Sequence, residues 1–450
     1  MSSLLLKAGR IVTMDPSRRV IRDGAVRVED GRIAAVLDAA ELPPPGAGEV
    51  VDAPHATLIP GFVQTHVHLC QTLFRGLADD LPLLDWLRLR IFPLEAAHRP
   101  SSMYASARIG LMELIASGTT TIMDMGSIGH EEEIVRAIAE SGMRAFVGKA
   151  LMDINETYPP LRERTAHALR SAAEEAHAWH GSAGGRIRYA VAPRFVLSCT
   201  EALLREASAL AAEIHGGLFH THAAENRGEL EAVRKRCGME NIEYFASLGI
   251  LSESTCLAHC VWLQDREVDL LAERQARVLH CPSSNLKLGS GVARIPAMLA
   301  KGISVSLGAD GAPCNNMLDM FEEMRLAALL QKPIHGADAM PAEEVFSLAT
   351  VGGAKALGLF NEIGSIEPGK KADLVLLDLR RPWNPLRDNQ AGDIFSAIVY
   401  SGRPANVEAV LIDGAWVYRG GEFAHLDAPR CSEEARMELT KLLQRVEWTA

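Results

Sequence analysis

The chain has 450 residues, of which 48% are hydrophobic and 23% are charged, and its formal net charge is −11. This composition is typical of a globular protein with a large core, and the length allows either two or three domains or one barrel with an appended unit. The negative net charge opposes binding to polyanions, so we expect neither nucleic acid nor an anionic membrane surface as a partner.

The sequence carries no signal for secretion or membrane insertion. The first residues, MSSLLLKAGRIVTMD, contain too short an apolar run for a signal peptide, and no stretch of about 18 apolar residues occurs. The eight cysteines show no Cys-x-x-Cys spacing, which indicates neither a disulfide framework nor a zinc ribbon. We therefore expect a cytoplasmic protein whose cysteines are mostly buried.

Both ends of the chain are predicted to be β-structure. Near the N-terminus, GAVRVEDGRIAAVLD contains two alternating apolar runs joined at Asp30-Gly31, which is a strong hairpin signal. Near the C-terminus, KKADLVLLDL precedes VEAVLIDGAWVYRGGEF, which turns at Asp413-Gly414. We expect residues 1–58 and 361–450 to combine in one small β-sandwich, with a terminal helix in the second segment.

Residues 59–360 are predicted to form a (β/α)₈ barrel, because short apolar runs alternate there with helical stretches. One such stretch, SSMYASARIGLMELIASG, begins with serines that suit an N-cap and ends at Gly118. A doubly wound open sheet is the alternative, but no G-x-G-x-x-G follows the first strand. The eight runs are PGFVQTH, TTTIMDM, RAFVGKA, RIRYAVAPRF, GGLFHTH, TCLAHC, ARVLHC and ISVSLGAD.

The last residues of these runs predict the active site, because a barrel builds its site at the carboxyl ends of its strands. The first run ends in His66 and His68, whose side chains project from the same face of a strand. A lone histidine at such a position would more often be structural, but five of the eight runs end in His or Asp. The later ones end in His220 and His222, in His259, in His280 and in Asp310.

These residues predict a catalytic metal centre. Neutral imidazoles with one carboxylate and an open position describe a catalytic rather than a structural zinc site. One divalent ion is expected, with Zn²⁺ favoured and Fe²⁺ or Mn²⁺ compatible with the same ligands. The predicted ligands are His66, His68, His222 and Asp310.

Glu225 is the predicted proton carrier. It follows His222 by three residues in HAAE, which would place its carboxylate beside the attacking water. For this reason we prefer His222 to His220 as a ligand and interpret His220 as a packing residue. His259 is predicted to orient the hydroxide, and Asp310 is predicted to accept a proton from the water as well as to bind the metal.

The motifs PGFVQTHVH, HTHAAE, LAHC and LGADGA together resemble the amidohydrolase superfamily, and the resemblance covers almost the entire chain. It implies a (β/α)₈ barrel with a β-sandwich made from both chain ends. Members with two metals usually supply a carbamylated lysine at the end of strand four, where this chain has Arg194 in YAVAPRF, so the resemblance implies a single metal. Lys149, which ends strand three, is interpreted as a polar pocket or structural residue, and His280 as structural support.

Within the superfamily the chain resembles the aminopurine and triazine deaminase branch. The segments TLFRGLADDLPLLDWL, SNLKLGSGVARI and LGADGAPCNNMLDMFEEMRLAALLQK are similar to deaminases of methylthioadenosine, S-adenosylhomocysteine and 5′-deoxyadenosine. By contrast, LPLLDWL, RAFVGKALMDIN and PRFVLSCTE, together with Gln71, are similar to guanine deaminase. Nucleoside deaminases commonly carry a histidine on strand four, and Arg194 departs from that pattern.

The resemblance implies a zinc-dependent hydrolytic deaminase, in which hydroxide adds to an amino-bearing ring carbon and ammonia leaves. Glu225 would protonate the neighbouring ring nitrogen, and the proton held by Asp310 would go to the departing amine. A 5′-modified adenosine, giving the inosine analogue, is slightly favoured. The alternatives are guanine deamination to xanthine, a triazine-type chlorohydrolase or aminohydrolase, and a non-catalytic barrel scaffold.

Four residues are predicted to bind the substrate. Arg194 offers a fork of donors, and Gln71 can donate and accept along one edge of a base. Phe195 would supply an apolar wall, and Glu95 in FPLEAAH matches the carboxylate that binds ribose hydroxyls in nucleoside deaminases. Alternatively, Gln71 and Glu95 are polar loop residues and Arg194 pairs with a carboxylate at the barrel rim. A small purine base or nucleoside is the expected partner, and a homo-oligomer is left open.

Overall fold

Residues 3–41, 48–384 and 393–448 are described by the computed structural model. They form two compact units, each drawn from separate stretches of the chain. The first unit comprises Met1–Gln64, Met112–Thr121 and Asp319–Leu426, and the second comprises Thr65–Leu111, Ile122–Leu318 and Asp427–Ala450, so far as these stretches are described. The domain boundaries at 58/59 and 360/361 that the sequence indicates stay predictions.

The described strands fall into two sheets. In chain order they are β1 (Ser3–Val12), β2 (Val20–Glu29), β3 (Arg32–Leu37), β4 (Glu49–Pro60), β5 (Phe62–His68), β6 (Thr119–Asp124), β7 (Arg144–Val147), β8 (Ala150–Leu151), β9 (Ile187–Pro193), β10 (Leu218–Ala223), β11 (Thr255–His259), β12 (Arg277–His280), β13 (Val305–Leu307), β14 (Asp310–Gly311), β15 (Leu374–Leu377), β16 (Val407–Ile412), β17 (Ala415–Arg419) and β18 (Glu422–Phe423).

The first sheet has eight strands in the order β18-β17-β16-β15-β4-β1-β2-β3, so it joins both ends of the chain. Its strands pair antiparallel except for β1 and β4, which are parallel. At both predicted hairpins the Asp-Gly pair has positive φ, 48° and 79° at Asp30 and Gly31 and 49° and 72° at Asp413 and Gly414. Such angles suit the two-residue turns whose twist matches the flanking strands. Both hairpins are confirmed.

The second sheet follows the order β13-β12-β11-β10-β9-β7-β6-β5-β14, with β8 paired to β9. Its two ends, β13 and β14, are consecutive pieces of one strand, so pairing of β13 with β12 and of β14 with β5 closes the sheet into a barrel. The successive pairings from β9 to β13 and the pairing of β5 with β14 are parallel. All eight predicted barrel strands are present, and the predicted fold is confirmed.

Strand eight passes very close to strand one at Gly308, which lies between β13 and β14. A Cβ atom at Gly308 would lie 2.7 Å from the carbonyl oxygen and 2.8 Å from the backbone nitrogen of His66. Only glycine permits this approach, because real Cβ atoms do not come so close to backbone atoms. The contact brings the end of strand eight, and therefore Asp310, beside the histidines of strand one.

The helices lie mostly between barrel strands, and the predicted helix before β6 is confirmed as Pro100–Ala116. None of the described helices is both long and apolar enough to cross a membrane. All eight cysteines are unbridged and seven of them are buried, as expected. The α-helices are α1 (Leu83–Trp86), α2 (Phe92–Ala96), α3 (Pro100–Ala116), α4 (Glu131–Ser141), α5 (Thr165–Trp179), α6 (Ser182–Gly185), α7 (Glu201–Glu213), α8 (Arg227–Cys237), α9 (Asn241–Ser247), α10 (Asp265–Glu273), α11 (Pro282–Lys287), α12 (Ile295–Ala300), α13 (Ala312–Asn315), α14 (Met320–His335), α15 (Ala342–Ser347), α16 (Gly353–Ala356), α17 (Asp393–Ser401) and α18 (Ala428–Leu443).

Candidate metal centre and active site

Three imidazoles and one carboxylate converge at the carboxyl ends of strands one, five and eight. One ligand atom from each of His66, His68, His222 and Asp310 lies within 4.8 Å of every other. The Nε2 atoms of His68 and His222 are 3.2 Å apart, and Oδ1 of Asp310 is 3.3 Å from Nε2 of both His66 and His68. The structure thus brings together all four residues that the sequence predicts as metal ligands.

Hydrogen bonds on the outer side of the ligand cluster determine which ring nitrogen of each histidine faces the other ligands. Nδ1 of His222 lies 2.6 Å from the backbone carbonyl of Arg194, which can only accept, so Nδ1 carries the proton and Nε2 keeps its lone pair. Nδ1 of His66 lies 2.8 Å from Nε2 of His220. His220, interpreted from sequence as a packing residue, therefore contacts a predicted ligand directly. Such outer partners orient metal-binding imidazoles.

The electrostatics of these histidines suit a cation. Burial lowers the pKa of His66 and holds the pKa values of His68 and His222 well below their usual range, so the rings are neutral near pH 7. Nε2 of His66 is buried without a hydrogen-bond partner among the described residues. Neutral nitrogens whose lone pairs face each other are costly unless a cation lies between them. Three nitrogens and one oxygen form a donor set that zinc prefers.

Glu225 lies in a buried position beside this centre. Its Oε2 is 3.5 Å from Nε2 of His259, and its Oε1 is buried without a partner in the described part of the chain. Burial, reinforced by the negative charge of Asp310, raises the pKa of Glu225 well above its usual range. The raised pKa favours the protonated form of this carboxyl group, which can donate.

Asp310 has the opposite protonation preference in the same site. Burial acts to raise its pKa, but the interactions with His66, His259 and His68 outweigh burial and hold it well below the usual range. Its Oδ1 faces His66 and His68, whereas Oδ2 lies 3.8 Å from Nε2 of His259. One carboxyl that is protonated and one that is ionised can divide acid and base roles.

The backbone of this region is strained at four non-glycine residues. Ala224, His259, Cys260 and Asp310 have φ values of 51°, 73°, 49° and 62°. Left-handed conformations of this kind cost of order 1 to 3 kcal/mol each and persist where the surrounding structure imposes them. At His259 and Asp310 they set the direction of side chains that the site uses.

The predicted substrate-binding residues form a polar network on one wall, here called the Gln71–Glu95–Arg194 wall. Arg194 donates through Nη1 to Oε2 of Glu95 at 2.6 Å and through Nη2 to Oε1 at 3.1 Å, and Nε2 of Gln71 donates to Oε1 at 2.8 Å. Burial acts to lower the pKa of Arg194, but the negative charge of Glu95 raises it overall. The carboxylate pairing that the sequence left open for Arg194 is present.

The same wall still faces the metal pocket. Gln71, Arg194 and Phe195 line that pocket together with His68, His222 and Asp310, while Glu95 contacts it only through its two partners. Oε1 of Gln71 is buried and has no hydrogen-bond partner among the described residues, so it is available to a donor on a ligand. The remaining lining residues are Leu83, Trp86, Leu87, Glu225, His259 and Leu288.

Two residues with open roles lie outside the pocket lining. His280 is buried, burial lowers its pKa to about 3, and neither ring nitrogen has a hydrogen-bond partner in the described segments. Nζ of Lys149 lies 2.7 Å from Oε1 of Glu163 in a partly buried ion pair. The ion pair favours the structural interpretation of Lys149, whereas the structural role of His280 stays a prediction.

Sequence reasoning missed two residues that contact the predicted catalytic groups. Oγ of Ser284 donates to Oδ2 of Asp310 at 2.6 Å, and Oδ1 of Asn285 lies 2.9 Å from Nδ1 of His259. Both stand in PSSNLKL, directly after the seventh strand. Their position directly after a strand end is the signal in the sequence, but the strand-end rule considers only the last residue of each run.

A second cavity of about 540 Å³ adjoins the metal pocket, and Leu87 and Phe195 line both. Its wall combines apolar side chains with Asp85, Arg88 and Glu156. A ligand with a flat ring in the metal pocket could extend a substituent into this space.

Comparison with known proteins agrees with this geometry. Residues 57–417 match the sequence profile of the Amidohydrolase family. The chain is 43% identical over 425 residues to a 5′-deoxyadenosine deaminase of Methanothermobacter thermautotrophicus, covering 93% of this chain and 96% of that one. It is 39% identical over 448 residues to a 5-methylthioadenosine/S-adenosylhomocysteine deaminase of Moorella thermoacetica, covering 99% and 100%.

A solved structure is also similar over nearly the full length. The adenosine deaminase of Xanthomonas campestris, crystallised with bound zinc, superposes with a TM-score of 0.91 at 31% identity, covering 98% of this chain and 99% of that one. Fold, site geometry and sequence therefore agree, and the chain belongs to the amidohydrolase family.

Proposed function

We propose that the protein is a zinc-dependent hydrolytic deaminase of adenosines modified at the 5′ carbon. The observation that carries this proposal is the carboxyl of Glu225, buried beside His259 and beside the cluster of three imidazoles and Asp310, where burial raises its pKa. Deamination of an aminopurine needs such an acid for a ring nitrogen and a base for water. The deaminases to which the chain is similar carry adenosine-type substrates in their names.

His66, His68, His222 and Asp310 would hold the metal. A divalent ion bound there would lower the pKa of a water molecule and so supply the nucleophile near neutral pH. Zinc is preferred to iron or manganese because the donor set is three nitrogens and one oxygen, and because a similar deaminase structure contains zinc. We infer one ion per chain, since Arg194 follows strand four where a bridging lysine would be needed.

The protein groups can account for every proton in the reaction. Glu225 donates its proton to the ring nitrogen beside the amino-bearing carbon, which makes that carbon electrophilic. Water adds to the carbon as Asp310 accepts one of its protons, and His259 orients the attacking oxygen by hydrogen bonding. When the carbon–nitrogen bond breaks, Asp310 returns its proton to the amine, the new carbonyl loses its proton to Glu225, and ammonia leaves.

The cavity next to the metal pocket favours nucleosides with a 5′ substituent. An aminopurine stacked against Phe195 would place its sugar close to the second cavity, because Leu87 and Phe195 line both spaces. That cavity has room for substituents as different as a methyl, a methylthio or an amino acid group. The charged residues of its lining, Asp85, Arg88, Glu156 and Arg236, would suit the zwitterionic end of S-adenosylhomocysteine.

Guanine deamination is the second candidate, and the Gln71–Glu95–Arg194 wall favours it. Because Glu95 already accepts three hydrogen bonds from Gln71 and Arg194, its oxygens are less available to ribose hydroxyls. The free Oε1 of Gln71 could instead accept from an N–H group at the edge of a base. A triazine substrate remains a third candidate, since chloride could leave from the same site.

Ammonia release from a matched panel tests the proposal. Zinc-loaded protein is supplied with 5′-deoxyadenosine, methylthioadenosine, S-adenosylhomocysteine, adenosine, guanine and 8-oxoguanine, and a chlorotriazine is assayed for chloride. We expect the highest kcat/KM on a 5′-modified adenosine, with Glu225→Gln protein as the blank for contaminating deaminases. A higher value on guanine would establish the second candidate, and no turnover on any compound would refute the deaminase proposal.

A further inference from the structure

We propose that Ser284 and Asn285, adjacent residues on α11, are positioning residues that fix the orientation of Asp310 and the tautomer of His259. Oγ of Ser284 donates to Oδ2 of Asp310 at 2.6 Å, and Oδ1 of Asn285 is 2.9 Å from Nδ1 of His259. One helical turn thus contacts both groups that flank the proton carrier. This inference rests on the proposed metal centre and deaminase activity.

The contact of Ser284 assigns separate tasks to the two oxygens of Asp310. Oδ1 lies toward His66 and His68 and also accepts the backbone N–H of Gly311 at 2.8 Å. Oδ2 is turned away from the histidines of strand one and is held by Ser284. Without the hydroxyl, rotation of the carboxylate about its Cβ–Cγ bond would exchange or misalign the two oxygens. Ser284 therefore sets the geometry with which Asp310 faces a metal.

The contact of Asn285 selects the protonated nitrogen of His259. The amide oxygen can only accept, so Nδ1 of His259 carries a proton and Nε2 is left with its lone pair. That Nε2 is buried without a partner among the described residues and points between Oε2 of Glu225 and Oδ2 of Asp310. In this tautomer His259 can accept a hydrogen bond from the attacking oxygen.

Two features of α11 show that this arrangement is rigid and is not explained by stability alone. The backbone N–H of Asn285 donates to Cys281 at 3.0 Å, and its carbonyl accepts from Ser290 at 2.8 Å and Gly291 at 3.2 Å. Yet Nδ2 of the same side chain is buried without a partner in the described chain. A purely structural position would favour an apolar side chain over an amide that is only half satisfied. Supporting residues of this kind hold reactive groups within tenths of an ångström.

The first test replaces Asn285 in the zinc-loaded enzyme. Asn285→Ala should lower kcat by about 10²-fold with little change in KM, because a misplaced catalytic group costs about this much. Asn285→Asp, which keeps an acceptor oxygen, should recover most of kcat. Nitrogen NMR of the histidine rings should show His259 with its proton on Nδ1 in the wild type and a mixture of tautomers in Asn285→Ala. An unchanged tautomer, or a lower Tm with unchanged kcat, would overturn the role of Asn285.

The second test replaces Ser284 and measures metal binding directly. Ser284→Ala should weaken zinc binding by about 10-fold to 100-fold, measured in competition with a chromophoric chelator. This is the loss expected when a predicted metal ligand, here Asp310, loses its hydrogen-bond partner. Ser284→Thr should restore it. The control is Ser141→Ala, because Ser141 is equally buried but donates to the carbonyl of Ile138 within α4. Equal zinc affinity in Ser284→Ala and wild type would overturn the role of Ser284.

These two readouts separate this inference from the proposed function. If the zinc-loaded protein released no ammonia from any purine, the deaminase proposal would fail. The tautomer of His259 and the zinc affinity of Ser284→Ala would still decide whether α11 positions the two groups.

Discussion

The metal centre and the Gln71–Glu95–Arg194 wall are neighbours in one pocket, but their polar groups are satisfied in opposite ways. In the centre, Nε2 of His66 and Oε1 of Glu225 are buried without partners among the described residues. In the wall, both oxygens of Glu95 are occupied by Arg194 and Gln71, although Oε1 of Gln71 lacks a partner in the described part of the chain. Unsatisfied buried donors and acceptors are costly, so the centre depends on a ligand, whereas the charged pair of the wall does not.

Metal removal should give the largest difference between the two regions. Dialysis against a chelator should abolish deaminase activity, and addition of zinc should restore it at one equivalent per chain, since the described residues contain one candidate ligand set, His66, His68, His222 and Asp310. Tm should fall as well, because an ion that binds only the folded state stabilises it. Elemental analysis showing two equivalents per active chain would contradict the single-metal interpretation.

Glu225→Gln should lower kcat by about 10²-fold to 10⁴-fold, the usual contribution of general acid–base catalysis. The amide keeps the volume but cannot transfer the proton. Zinc content should equal that of the wild type, because Glu225 is not a predicted ligand. A variant with full metal and most of its activity would show that another group carries the proton.

Arg194→Ala should affect stability and recognition together. Removing one partner of a buried ion pair costs about 3 to 5 kcal/mol, since Glu95 is left charged and unpaired. If Arg194 also binds the base, kcat/KM should fall by roughly 10-fold to 150-fold, the loss of one charge-assisted hydrogen bond. Thermal melting measures the loss of stability, and steady-state kinetics measures the loss of kcat/KM.

The double variant Arg194→Ala/Glu95→Gln separates these effects. Neutralising Glu95 should recover part of the lost stability, but it should not recover kcat/KM. Arg194→His should raise the ratio of adenosine-type to guanine-type activity if Arg194 selects the base. Wild-type kinetics in Arg194→Ala with a lower Tm would make the wall purely structural.

The pH dependence should give the smallest effect and should belong to the centre alone. Burial raises the pKa of Glu225, and only the protonated carboxyl can donate, so kcat/KM should fall as pH rises through that pKa, by about tenfold per pH unit. Arg194→Lys should keep the same alkaline limb, because the wall carries no reacting proton. If the alkaline limb of the kcat/KM profile shifted in Arg194→Lys but persisted in Glu225→Gln, the reacting proton would belong to the wall and not to the metal centre.

Hairpins and barrel strands were predictable from sequence because their signals are local. An Asp-Gly pair favours a two-residue turn with positive φ whatever surrounds it, as at Asp30 and Asp413. The proximity of His66, His222 and Asp310 was also predictable, because parallel strands of a barrel bring their carboxyl ends to one face. The roles proposed for the substrate-binding residues remain predictions.

The sequence by itself determined the barrel, the strand-end histidines and the position of Glu225, since periodicity and strand order define them. Only the tertiary structure decided that Arg194 pairs with Glu95, 99 residues away, that His220 contacts His66, and that Ser284 and Asn285 hold Asp310 and His259. These contacts depend on rotamers and on the paths of loops between strands. Neither is encoded by a repeating pattern, because both result from packing of the whole barrel face.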